Sequence, residues 1–99
     1  MVKFYDYDVA DYIKTEKDIR LYIEAAFEDG DPGIIASALG DVARIRGMAK
    51  IAQKAGVNRE SLYRSLSKTG VPNFKTITSV INSLGFKLAV LPQGRRVAV

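Results

Sequence analysis

The stretch MAKIAQKAGVNRESLYRSLS, residues 48–67, leaves this chain few ways to fold. Ile51, Ala52 and Ala55 share one face of a short helical pattern, and Leu62 and Leu66 share one face of a second. Gly56 stands between them, where a positive φ turns the chain sharply at no steric cost. Val57 plugs the corner, and Asn58 has the side chain of an N-cap. The small side chain of Ala52 lets two helices cross closely beside the turn. Ala, then Gly four residues later, then Val, with Leu five beyond it, is the spacing of a helix-turn-helix.

With Leu62 and Leu66 inward, the second helix turns Asn58, Arg59, Glu60, Ser61, Tyr63 and Arg64 outward. Arg and Asn can pair with guanine and adenine edges through two hydrogen bonds each, and Tyr63 can reach a base or a phosphate. Lys50, Gln53 and Lys54 on the first helix, with Arg44 and Arg46 before it, are placed to meet phosphates. Lys68, Thr69 and Lys75 surround the loop that follows, where a nucleic-acid backbone would pass. Singly, each has a plainer reading: Arg59 as a solvated first-turn residue, Tyr63 as a cover for the core. Together they make double-stranded DNA the expected partner of this face.

Charge supports that reading. The formal net charge is only +4, but residues 1–31 hold four cations and nine anions, whereas residues 44–99 hold eleven cations and a single anion, Glu60. An acidic first third on a basic remainder suggests two different partners, and the basic part has the footprint of a polyanion binder.

Cysteine and histidine are both absent, which excludes disulfides, thiol catalysis, Cys/His zinc sites and histidine acid–base chemistry. No GxxxxGK(S/T), GxSxG or HExxH motif occurs, and no spacing sets a nucleophile beside a base. The chain is therefore expected to be no enzyme and to hold no cofactor or metal. No apolar run approaches the roughly 20 residues of a membrane helix, and no charged-then-apolar leader opens the chain. A cytoplasmic location without a membrane partner is expected. Ninety-nine residues, 47% of them hydrophobic, suit one folded domain over 1–99.

Residues 4–12, FYDYDVADY, read as a short strand or an irregular lead-in. Thr15 is placed as an N-cap, and Ile19, Tyr22, Ile23 and Phe27 form a helical stripe that ends at EDGDP. There Gly30 suits a left-handed terminus, Asp31 a cap and Pro32 a first turn. The next helix is predicted over Pro32–Arg46, with Ile35, Leu39, Val42 and Ala43 buried and Gly47 ending it. After TGVPN, Asn73 caps a last helix whose Phe74, Ile77, Val80, Ile81 and Leu84 face inward, and Gly85 stops it. FKLAVL, 86–91, alternates as a strand does, and 92–99 is a loose tail. A lone strand needs partners for its amides and carbonyls. It must pair near Phe4 or with a second copy, and the second option, a homodimer, fits better because no other strand is evident.

Residues 24–91 closely resemble the HigA-type antidote proteins of toxin–antitoxin modules, a branch of the lambda-repressor-like (Cro/C1, XRE-type) helix-turn-helix group. The resemblance rests on EDGDP, on IIASALGDVARIRGMAKIAQKAGVNRESLYRSLS and on ITSVINSLGFKLAV. The leading YDVADYIKTEKDIRLYIEAAFEDG is similar to that family's N-terminal segment, so nearly the whole chain is covered. The combination of GDP, GDVARxRGM and ESLYRSLS is specific.

The resemblance implies a mainly α fold. It would be a lambda-repressor-like bundle of about five helices, with an acidic N-terminal helical extension over 1–31, a helical core over 32–85 and a short C-terminal β-strand. It implies a bacterial repressor that binds its own promoter as a dimer and neutralises a small basic toxin of RelE/HigB type, usually an mRNA-cleaving ribonuclease. The recognition helix becomes Asn58–Ser67. The DNA-contact set is Lys50, Gln53, Asn58, Arg59, Glu60, Ser61, Tyr63, Arg64, Lys68, Thr69 and Lys75. One position departs from the group: many lambda-like domains open the first helix of the motif with a phosphate-gripping glutamine, where this chain has Met48. Backbone amides at Ala49 or Lys50 would have to supply that contact. Asp6, Asp8, Asp11, Glu16, Asp18, Glu24, Glu28 and Asp29 would complement a cationic ribonuclease, with Phe4, Tyr5, Tyr7 and Tyr12 as apolar anchors. The alternative is a protein-interaction module, or a stand-alone regulator without a toxin.

Overall fold

The computed structural model describes residues 11–67 and 69–94. The lead-in at 4–10, Lys68 and the end of the tail at 95–99 lie outside the described residues. Five helices follow one another: α1 (Glu16–Asp29), α2 (Pro32–Arg46), α3 (Met48–Ala55), α4 (Arg59–Ser65) and α5 (Phe74–Ser83).

Local chemistry accounts for the helix ends. Thr15 accepts from the Asp18 amide while Asp18 accepts in return from the Thr15 amide, a capping box with Asp in the place usually held by Glu or Gln. Asp18 also accepts from the Lys14 amide, and these backbone donors hold its carboxyl below the ordinary 3.8. Asp31 caps α2 through the Ile34 amide with Pro32 in the first turn, and Asn73 caps α5 through the Thr76 amide. Gly30 closes α1 in the left-handed conformation, as EDGDP suggested.

α1 lies on α2, and α3 sits centrally against α2, α4 and α5. Leu39, Val42, Leu62, Leu66, Val80 and Ile81 are fully enclosed, and Ile19, Ile23, Met48 and Ile51 complete the core around them. At roughly 1.5–3 kcal/mol for each fully buried aliphatic side chain, this cluster, more than helix propensity, holds helices of 7 to 15 residues in place.

Two expectations fail. Among the described residues there is no strand, and 86–91 runs as irregular chain. The apolar start of FKLAVL belongs to a helix terminus instead. The Gly85 amide donates to the Asn82 carbonyl, the Phe86 amide donates to the Ile81 carbonyl at 3.1 Å, and the Phe86 ring folds back on the core, which is a Schellman ending. Beyond it nothing among the described residues pairs with the backbone as a strand would, and Val90 is 97% exposed. Phe74 does not face inward either; it is 75% exposed, and Val71 before it is more open still. Helical periodicity assigns a face but carries no information on where the neighbouring helix stops covering it.

Candidate nucleic-acid interface and the acidic face

α3 and α4 meet at a turn built from backbone hydrogen bonds. Gly56 adopts φ 72° and ψ 33°, its amide reaches the carbonyls at the end of α3, and the Val57 amide donates to the Ala52 carbonyl at 3.0 Å. Val57 lies partly buried on the core and Ala52 is buried at the crossing, as the spacing required. Asn58 then caps α4, its Oδ1 accepting from the Glu60 and Ser61 amides at 2.9 and 3.0 Å.

That cap limits what Asn58 can do. A two-bond pairing with adenine needs both the carbonyl oxygen and the amide nitrogen, and here the oxygen is engaged. Asn58 therefore orients the helix and offers a ligand only its Nδ2. Arg59, Glu60, Ser61, Tyr63 and Arg64 are all exposed, while Leu62 beneath them is buried. Tyr63 is 55% exposed, so its ring does not serve as a lid on the core. Lys50 and Gln53 are exposed on α3, and Thr69 and Lys75 are exposed around the start of α5. No side chain among the described residues caps α3, so its first amides keep their donors for another acceptor. Arg44 and Arg46 are engaged elsewhere: Arg44 pairs with Asp41, and Arg46 reaches across to Glu16 on α1. The Arg46–Glu16 pair is solvent-exposed and individually weak, whereas in the Arg44–Asp41 pair only the arginine is well exposed.

The far end of α4 is held by a device that the sequence pattern concealed. A methyl group at Gly40, in the middle of α2, would collide with the Leu66 carbonyl oxygen. One at Gly70 would collide with the Ser65 carbonyl and stand 2.6 Å from that of Arg64. Two glycines thus press on the last turn of α4 from opposite segments of the chain, backbone to backbone. An isolated glycine inside a helical pattern was the available sign, since it costs about 0.5–1 kcal/mol against alanine and so implies a packing reason.

A family model described as probable addiction module antidote protein matches residues 3–92. The chain belongs to that family. A protein of Haemophilus influenzae, described as uncharacterized, is 42% identical over 85 residues, which is 86% of this chain and 88% of the relative. No solved structure matches significantly. The antidote match runs through the acidic first third as well as the basic remainder. An antidote implies a toxin partner.

In this antidote-family chain the acidic side is α1 with the Asp31 cap that follows it. Tyr22 joins the two, donating from its hydroxyl to Asp41 Oδ2 at 2.6 Å, and Asp41 also takes the Arg44 pair. Burial, and then the bond to Asp41, push the Tyr22 hydroxyl above the ordinary 10. Glu24 pairs with Arg20 one turn away on the exposed face of α1. Tyr22 was expected only as core; its second role needs Asp41, nineteen positions away, and no local pattern shows that. Of the proposed anchors, Tyr12 is exposed, while Phe4, Tyr5 and Tyr7 lie outside the described residues, as do Asp6 and Asp8. Among the described residues no helix is long and apolar enough to cross a membrane, and no group of acidic side chains is gathered to hold a metal ion.

Proposed function

We propose that this antidote-family chain is a DNA-binding antitoxin: a repressor that binds its operon's promoter through α3 and α4 and neutralises a RelE/HigB-like toxin. α3–turn–α4 is the helix-turn-helix, of lambda-repressor-like and HigA type, and α4 is the recognition helix. The observation that carries this reading is the two-sidedness of α4, whose exposed Arg59, Tyr63 and Arg64 surround a Leu62 that is 1% exposed. Arg59 and Arg64 pair with base edges, Tyr63, Ser61 and Glu60 complete the surface beside them, and Lys50, Gln53, Thr69 and Lys75 meet phosphates. The uncapped start of α3 takes the phosphate that a glutamine at position 48 would otherwise grip.

The protein acts as a homodimer whose two recognition helices enter major grooves about 10 base pairs apart. Its acidic α1 side faces the cationic toxin. Gel shifts on the DNA upstream of the gene test the first part. Arg59→Ala and Arg64→Ala should each weaken binding by about 1–3 kcal/mol and relax preference at one base position. Wild-type affinity in the double variant would rule out α4 as the reading helix.

A further inference from the structure

Between α1 and α2, on the acidic side, lies an open groove of about 290 Å³. α1 contributes Tyr22, Ala25, Ala26 and Asp29, and α2 contributes Ile34, Ser37 and Ala38. The floor is short apolar side chains. Its hydroxyls are that of Tyr22, which already donates to Asp41, and that of Ser37. A small metabolite would find few converging polar groups here, and the volume sits at the bottom of the range of about 300–1,000 Å³ usual for ligand pockets. The groove suits one apolar side chain of another protein. Ile34 is 44% exposed at its mouth, and Leu21, 47% exposed, stands one helical turn before Ala25 on the same stripe of α1.

The surrounding charge states what kind of protein. Asp29 lines the groove, and Asp31 stands at the N-cap of α2, where it accepts from the amide of the groove residue Ile34. Asp29 accepts from the Asp31 amide through one oxygen and keeps further acceptor sites directed to solvent. We infer that this groove is the toxin-docking seat: it takes an aliphatic side chain of the toxin, with lysine or arginine beside it engaging Asp29. This rests on the antitoxin reading above and places the contact on α1–α2, away from the DNA-facing residues. Apolar burial supplies the anchor, and the acidic rim speeds encounter with a basic partner.

The probe is the purified small basic protein of the neighbouring reading frame, titrated calorimetrically onto the full chain. Ile34→Arg and Ala25→Arg, one from each wall and both on exposed positions, should each raise Kd about tenfold or more. Circular dichroism and melting of these variants should match the parent. Asp29→Asn should slow association and flatten its salt dependence. Unchanged affinity in both arginine variants overturns the groove while leaving the antitoxin reading intact. So does loss of binding on Arg59→Ala with Arg64→Ala instead. Halving of the molar mass by Ile34→Arg would assign the groove to a second copy of this chain and also overturn the proposal. No binding by the parent chain removes the antitoxin reading itself, and the docking proposal with it.

Discussion

Single atoms decide two of the contacts that shape this molecule. Gly40 has room for hydrogen only, because the Leu66 carbonyl occupies the space a methyl would take. Gly40→Ala gains about 1 kcal/mol of helix propensity but forces backbone apart, an overpacking cost of about 1–3 kcal/mol. Thermal melting should show net destabilisation, and an unchanged or raised Tm would contradict the close approach of α2 and α4. At Tyr22 the hydroxyl carries the link to Asp41. Its raised pKa means that the contribution is complete below the ordinary 10 and is lost as pH climbs past that value through the folded pKa. Tyr22→Phe should cost about 0.5–1.5 kcal/mol near neutral pH and abolish the alkaline loss. Urea titrations at pH 7 and above pH 10 measure both. Neither contact was legible beforehand: each joins residues far apart in sequence, and helical spacing reports only neighbours.

Helix ends are where the sequence spoke most clearly, since caps and glycine terminators act within a few residues of themselves. Thr15, Asp31, Asn58 and Asn73 all cap as their chemistry suggests. α2 occupies Pro32–Arg46 as predicted. The strand failed for the complementary reason. Alternation over 86–91 records which side chains are apolar, whereas a strand exists only if another backbone accepts its hydrogen bonds, and the Schellman bonds of Gly85 and Phe86 use the first of those residues to finish α5. The start of α1 should be acid-sensitive. Asp18 titrates below its ordinary value, so the capping box is at full strength above pH 3.8 and weakens as pH falls below it through the folded pKa. Amide exchange in the first turn of α1 should accelerate in that window, and Asp18→Ala should show the fast rate at neutral pH. Equal rates in parent and variant at pH 7 would dismiss the box.

Across the molecule as a whole, charge is divided along the chain: α1 and the Asp31 cap after it are acidic, and from Arg44 onward the described chain is basic apart from Glu60. That division was visible from the sequence because counting charges requires no fold. What it could not reveal was the α1–α2 groove, which exists only once two helices lie side by side. Under the proposed DNA role, log affinity falls linearly with log salt, and Lys75→Ala should lessen the slope by about one while weakening all sequences alike. A sequence-selective loss in that variant would show Lys75 touching a base rather than the backbone.

The glycine clamp on α4 has an evolutionary corollary. Because the rod's pitch and depth are set by carbonyl oxygens and hydrogen atoms, not by its outward side chains, an exchange at 59, 60, 63 or 64 leaves its mounting undisturbed. Under the proposed DNA role, a change of promoter sequence can then be met one letter at a time on an unchanged chassis.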